Sequence, residues 1–257
     1  MRNTGNTILI TGGGSGIGEA LARRLHDAGN TVIISGRRHD ALERAIAGRA
    51  QMHAVTVDMD DPASIAAMVE RVLTDHPTLN VLVNNAGIMR FETLDRKRDL
   101  ADAEATISTN LLGPIRLIDA LVEHLSAQPE SAIVNVTSGL AFVPLTATAT
   151  YSATKAAIHS YTESLRAELK GRVEVIELAP PGVQTDLTPG QSTRPGYMPL
   201  DAFADEIMQI WSTTPTPPEL LVQNVRFLRD AERENRFAET LVTLNERAKA
   251  AREAGRS

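Results

Sequence analysis

Tyr151 and Lys155, in YSATK, are the first pair of residues whose types and spacing could do chemistry. On a helix, positions i and i+4 project from one face. An ammonium held there favours phenolate, lowering the ordinary phenol pKa of about 10. A tyrosine tuned in this way can act as general acid toward a carbonyl or as base toward an alcohol. Tyr-x3-Lys alone is a weak signal, because many surface helices carry one. Ser138 ends the apolar run IVNVTS, thirteen residues before Tyr151, where its hydroxyl can bond a substrate oxygen beside the phenol. NNAG at 84–87 ends another apolar run and offers a backbone that can pass beneath a cofactor, or simply a strand-ending turn. Asn110 lies in TISTNLLGP, a predicted helix that Pro114 is expected to distort. A buried asparagine there needs a partner, either water or a helix carbonyl.

A second constellation is TGGGSGIG, where the spacing is Gly12-x3-Gly16-x-Gly18. Glycine permits the sharp turn from strand to helix and the close approach of backbone to a pyrophosphate. The helix N-terminus then offers free N–H groups and partial positive charge. Ser15 adds a hydroxyl, and Gly18 lets the helix pack tightly on the sheet. About twenty residues further on, such a fold often places an acid that accepts hydrogen bonds from the ribose hydroxyls of NAD. This chain reads Gly36-Arg37-Arg38 there. Glycine leaves space, and Arg37 with Arg38 can donate charge-assisted bonds to a 2′-phosphate. The alternative is a basic helix start, or an arginine stacked on adenine, which serves NAD equally. NADP(H) is therefore the favoured cofactor and NAD(H) the alternative.

These residues need a scaffold, and the hydrophobic pattern supplies one. Short β-branched runs occur at 7–11, 31–35, 53–57, 80–85, 132–138 and 173–179, several apolar at nearly every position. Such runs suit strands buried on both faces. Longer segments with helical spacing lie between them; Ile17, Leu21 and Leu25 form one stripe. Asp61 is expected to cap a helix with Pro62 at its first position. The alternation predicts a Rossmann-like, doubly wound α/β fold, a mainly parallel sheet with helices on both faces. One domain spans 1–257 in this reading, with 183–200 as a substrate lid and a charged helical segment over 224–257 closing near Gly255. In that segment Leu228, Phe237, Leu241 and Leu244 form a stripe for docking or dimerisation, or the helix is simply solvated.

Composition narrows the function further. The 257 residues carry a net charge of −6, which argues against a nucleic-acid binder, since that needs a basic face. With no cysteine there are no disulfides and no thiolate metal sites. The six histidines are scattered without an H-x3-H pair, so no metal site is expected; His159, two turns beyond Tyr151, could line the site but reads first as a packing or surface residue. No apolar run approaches a membrane span, and a cytoplasmic location is expected.

In order and spacing, TGGGSGIG, NNAG, Asn110, Ser138, YSATK and PPGVQTD resemble the short-chain dehydrogenase/reductase family in its compact single-domain branch. The strings NTILITGGGSGIG, SGLAFVP and YSATKAAIHS are similar to the oxidoreductases grouped as DltE-like. The resemblance covers roughly residues 5–200. It implies hydride transfer between a nicotinamide cofactor and a carbonyl/alcohol pair, with ketone or aldehyde reduction favoured. By resemblance Tyr151 is the acid/base, Lys155 lowers its pKa and binds the nicotinamide ribose, Ser138 positions the carbonyl, and Asn110 holds a relay water. Gly12, Ser15, Gly16, Ile17 and Gly18 match the pyrophosphate turn, and Asp58 the acid that contacts adenine, unless it only caps the next helix. Asn84, Ala86 and Gly87 match the strand end under the ribose, and Pro181, Gly182, Val183 and Thr185 the nicotinamide side. Leu140 joins Ser138 and Tyr151 at the substrate. Relatives commonly assemble as dimers or tetramers, although here a charged helix replaces their Gly-rich tail. LAFVPLTATAT and the lid carry few charges, which suggests an uncharged, hydrophobic substrate. The competing function is a nucleotide-binding regulator without turnover; it would be expected to lose Tyr151 or Lys155.

Overall fold

The computed structural model describes residues 1–254, with side chains through 251. The first half alternates strictly: β1 (Thr7–Thr11), α1 (Gly16–Asp27), β2 (Thr31–Gly36), α2 (His39–Ile46), β3 (Met52–Thr56), α3 (Pro62–Asp75) and β4 (Val81–Asn84). Then follow α4 (Ala101–Ile107), α5 (Gly113–Ala127), β5 (Ala132–Val136), α6 (Ala149–Glu168), β6 (Glu174–Leu178), α7 (Leu200–Trp211) and the short β7 (Glu219–Leu220). The seven strands form one parallel sheet in the order β3-β2-β1-β4-β5-β6-β7. The order reverses between β1 and β4, and that reversal opens a crevice at the strands' C-terminal ends.

The predicted strands all form, with ends displaced by a residue or two. They are apolar at successive positions because helices cover both faces. In β1, Ile8 and Ile10 pack toward α1 and α7, while Leu9 packs toward α3 and α5, and all three are fully buried. Asp61 caps α3 as its spacing predicts: its carboxylate accepts from the Ala63 N–H at 2.9 Å, and Pro62 opens the helix.

Three regions refine the expectations. The helix around Asn110 is distorted N-terminal to Pro114, where α4 passes through a π turn over Ser108–Leu112 into α5. Pro114 has no N–H to give the carbonyl of Asn110, so the ladder widens there. The segment 183–200 folds back on itself through a bridge between Val183 and Met198. The buried Gln191 fixes it, donating to Val183 O at 2.9 Å and Thr185 Oγ1 at 3.2 Å. The C-terminal segment is two helices, α8 (Arg226–Arg229) and α9 (Phe237–Ala254), separated by a turn with Asn235 at φ +56°. Leu228, Leu241 and Leu244 are half-buried, while Phe237 stays exposed. Asn245 ties α9 to the main body by accepting from the Thr146 N–H at 2.8 Å. Gly255 lies outside the described residues.

Candidate active site

The sheet brings the polar residues to one place. Ser138 follows β5, Asn110 sits in the π turn, and Tyr151 and Lys155 lie in the first two turns of α6. All four are buried, Asn110 to 1% exposure, Lys155 to 5%, and Ser138 and Tyr151 to 8%. Lys155 stands 5.6 Å from the centroid of the Tyr151 ring, as one helical turn requires, and donates to the Val136 carbonyl at 2.8 Å. Ser138 Oγ accepts the Leu140 N–H at 3.1 Å and also bonds the Tyr151 phenol.

The electrostatics correct one expectation. Burial pushes the Tyr151 phenol up to about 12; the Ser138 hydroxyl opposes the rise and the Tyr197 phenol adds to it. Burial alone brings the Lys155 ammonium down to about 8. The spacing predicts a phenol lowered by lysine. Desolvation dominates both shifts instead, because both groups lie out of water and the ammonium is turned to Val136 O.

Asn110 is a clamp. Its Oδ1 accepts the Ile88 N–H and its Nδ2 donates to the Ile88 carbonyl, each at 2.8 Å. The π turn thereby fixes the chain just after Gly87. A Cβ at Gly87 would lie 3.3 Å from Asn110 Oδ1 and 3.8 Å from Lys155 Nζ, so glycine leaves that passage open.

The glycine turn forms the opposite wall. Gly12 takes φ +68°, and a Cβ on it would lie 2.9 Å from the Ala86 Cα. A Cβ on Gly18 would lie 2.4 Å from the Gly12 carbonyl, so only glycine lets α1 start this close to the strand. Ser15 precedes α1, and Ile17, in its first turn, packs against the core. Thr185 of the lid overhangs the turn: a Cβ on Gly16 would meet its Cγ2 at 3.4 Å. Pro181 is half-buried, Val183 is buried where the 183–200 segment begins, and Tyr197 lies over Gly182.

At the end of β2, a Cβ on Gly36 would find nothing nearer than Leu42 Cδ2 at 3.7 Å, so the position opens to space. Arg38 reaches back to Ser15 Oγ at 3.2 Å, joining this strand end to the glycine turn. Arg37 is exposed beside it. Asp58 does not cap α3. It accepts the Asp60 N–H at 3.1 Å and stays half-buried at the end of the neighbouring strand.

Asn84 turns into the sheet and donates to Asn135 Oδ1 at 2.9 Å, leaving its own buried Oδ1 without a partner among the described residues. The neighbouring Asn85 and Thr11 carry more of the crevice than sequence reasoning assigned them. Thr11 Oγ1 accepts the N–H groups of Asn85 and Ala86, both at 3.0 Å, and Asn85 Nδ2 donates to Thr11 O at 2.9 Å. That staple joins β1 to β4 where the strand order reverses. Thr11 ends TILIT and Asn85 stands within NNAG, so the motif borders were the signal. Tyr197 is a second omission; only its aromatic character within a polar lid marked it.

Sequence distance also concealed one titratable cluster. His159 Nδ1 lies 2.7 Å from Oε2 of the fully buried Glu177, and Glu163 brings a third potential ligand atom within 4.8 Å. The Glu177 hydrogen bond raises the imidazole pKa despite burial. Glu177 also accepts from Thr137 Oγ1 at 2.6 Å, so the cluster braces the residue next to Ser138.

A cavity of about 250 Å³ opens on Tyr151 and Thr150, lined otherwise by α4 and the segment that precedes it. Val143 and Leu145, whose apolar character suggested a hydrophobic substrate, are instead spent on packing. The cavity is lined largely by charged side chains.

The crevice fits a nicotinamide dinucleotide: a glycine cradle no Cβ would tolerate, an open end at β2, and a buried Tyr–Ser–Lys set across from it. Comparison with known proteins agrees. A short chain dehydrogenase family model matches residues 6–195. The uncharacterized oxidoreductase DltE of Bacillus subtilis is 41% identical over 239 residues, covering 91% of this chain and 94% of that protein. Sulfoacetaldehyde reductase 2 of Chromohalobacter salexigens is 32% identical over 70% of this chain and 74% of its own length. A short chain dehydrogenase from Burkholderia cenocepacia, solved in complex with NADP, superposes with a TM-score of 0.80 at 25% identity, covering 94% of this chain and 99% of that one. The chain therefore belongs to the short chain dehydrogenase family and is an oxidoreductase that acts on CH–OH or C=O groups with NAD(P).

Proposed function

We propose that the protein reduces an aldehyde or ketone with NADPH, using Tyr151 as the proton donor. The observation that carries this reading is the buried contact of Tyr151 with Ser138, one helical turn from Lys155 and facing the glycine cradle. A phenol held at about 12 keeps its proton at neutral pH, the form a reduction consumes. Ser138 hydrogen-bonds the same phenol and orients the substrate oxygen toward it. Lys155 stands beside Gly87, in reach of a ribose, and its positive charge stabilises a phenolate as the proton leaves. Asn110 holds the Gly87–Ile88 backbone in place. When bound, NADPH supplies the hydride. Gly12, Ser15, Gly16, Ile17 and Gly18 hold its pyrophosphate. Asp58 bounds the adenine, and Asn84, Ala86 and Gly87 lie under the ribose. Pro181, Gly182, Val183 and Thr185 flank the nicotinamide, and Leu140 flanks the substrate. Arg37 and Arg38, beside the space left by Gly36, favour the 2′-phosphate and thus NADPH over NADH. Phe91, Leu94, Leu100, Ile107 and Leu112 are exposed and support assembly with a second copy as a homodimer or homotetramer.

Tyr151→Phe tests the mechanism. Turnover of any accepted carbonyl should fall by about three orders of magnitude or more, while NADPH binding, followed by fluorescence titration, stays within a few-fold. A variant that keeps its rate would show that the proton comes from another group.

A further inference from the structure

The cavity beside Tyr151 has a charged wall. Its wall holds four cations, Arg90, Arg96, Lys97 and Arg98, against three carboxylates, Glu92, Asp99 and Asp102, in a chain whose net charge is −6. The carboxylates are already committed. Glu92, nearly buried, accepts the Thr150 N–H, the Thr150 hydroxyl at 2.9 Å and one arm of Arg98. Burial opposes its ionisation, but the Thr150 amide and Arg98 outweigh that and hold it below the usual carboxylate range. Asp99 accepts the Ala101 N–H at 3.0 Å, and Asp102 faces Arg90 at 3.6 Å.

Arg96 is paired with Asp95 and Arg90 with Asp102, so two of the four cations, Lys97 and Arg98, keep donors in reserve. Arg98 gives Nη1 to Glu92 and has no second acceptor among the described residues, which leaves most of its guanidinium fork unused. Lys97 has no acceptor at all among the described residues. Both face the space that Tyr151 borders. Volume limits the occupant: about 250 Å³ takes a compact group, below the usual range of roughly 300–1,000 Å³ for drug-sized ligands.

We propose that Lys97 and Arg98 form an oxyacid subsite, so that the substrate is a compact aldehyde or ketone bearing a carboxylate, sulfonate or similar anion. The proposal rests on the carbonyl-reductase reading and deepens it. The anion lies in the cavity, and the carbonyl reaches back to Tyr151 and Ser138. Glu92 is the positioning residue: it fixes Arg98 against the N-terminus of α6, so the cation keeps a set place relative to the phenol one residue on from Thr150.

The test compares NADPH-dependent reduction of 4-carboxybenzaldehyde, 4-formylbenzenesulfonate and the neutral methyl 4-formylbenzoate. At least one anionic aldehyde should exceed the ester in kcat/KM by about tenfold, and the preferred acid identifies the oxyacid. Raising the ionic strength should shrink the advantage. Lys97→Gln should cut the anion-to-ester ratio by about threefold, and Lys97→Gln with Arg98→Gln should bring it near unity. The thermal midpoint of each variant reports on folding, and Lys97→Gln, at an exposed site, keeps the test open if the double variant is unstable. Equal or better reduction of the ester by the unaltered enzyme overturns the subsite and leaves the reductase reading standing. Failure to reduce any of the three aldehydes overturns both.

Discussion

Replacing Gly36 with aspartate puts the cofactor reading to a quantitative test. A Cβ at Gly36 meets only Leu42 Cδ2 at 3.7 Å, and the residue does not use a left-handed backbone, so aspartate fits without strain. Gly36 also continues to accept the Val57 N–H through its carbonyl, which the substitution leaves alone. The fold should therefore hold, with a stability change within about 0.5 kcal/mol. The new carboxylate would stand beside Arg37 and Arg38, where the proposed reading places the 2′-phosphate. Two unit charges about 6 Å apart repel by about 3 kcal/mol at an effective dielectric of about 20, and by less than about 1 kcal/mol in full solvent. A free 2′-hydroxyl gains a hydrogen bond to the carboxylate worth about 1.5–3 kcal/mol. Together these should lower the NADPH/NADH ratio of kcat/KM by about two orders of magnitude. Initial rates at subsaturating cofactor with one fixed aldehyde, read from the absorbance of the reduced nicotinamide, give the ratio directly. A change below about threefold in a variant with an unaltered thermal midpoint would refute the argument that Gly36 and the two arginines select the phosphate.

Thr11→Val keeps the shape of β1's last residue but strands the N–H groups of Asn85 and Ala86. It should cost about 1–3 kcal/mol in urea denaturation and raise the KM for cofactor; an unchanged midpoint would show that the staple is dispensable. Lys155, lowered from 10.5 to about 8 by burial, contributes stability that is present at high pH and lost as pH falls toward 8, because the unfolded chain binds the extra proton across that window. Lys155→Met should remove a rise in stability of at most about 2–3 kcal/mol between pH 8 and 10, below the range where Tyr151, raised from 10.0 to about 12, begins to act with the opposite sign. Parallel stability-versus-pH curves for the two proteins would contradict the burial of the ammonium. The reduction rate of the unaltered enzyme should fall as pH rises through about 8 and the ammonium discharges, and a profile flat across that range would separate Lys155's charge from catalysis.

Local pattern alone determined the scaffold. A strand buried on both faces leaves a continuous apolar run, and a helix leaves a stripe, so six of the seven strands and the crossover helices between them were readable without contacts. Asp61-Pro62 marked the start of a helix because capping is a local interaction. The glycine turn, Ser138, Tyr151 and Lys155 were legible for a related reason: their spacing along one strand end or one helix carries their spatial relation with it.

The tertiary structure decided what depends on burial and on residues far apart in sequence. The i, i+4 spacing predicts a phenol lowered by its lysine, but only the packed site shows that desolvation dominates both groups. Asn110 was visible as a polar residue in an apolar stripe, yet its partner, Ile88, lies 22 residues away across the π turn. His159 and Glu163 stand one turn apart on α6, and Glu177 joins them only because α6 packs on β6. The apolar stretch after Ser138 suggested a hydrophobic substrate, but folding turns Val143 and Leu145 inward. Pattern fixes which residues face a core, because one chain segment determines its own period. Charge state and cavity lining are set by what several segments exclude from water together, and no single segment carries that information.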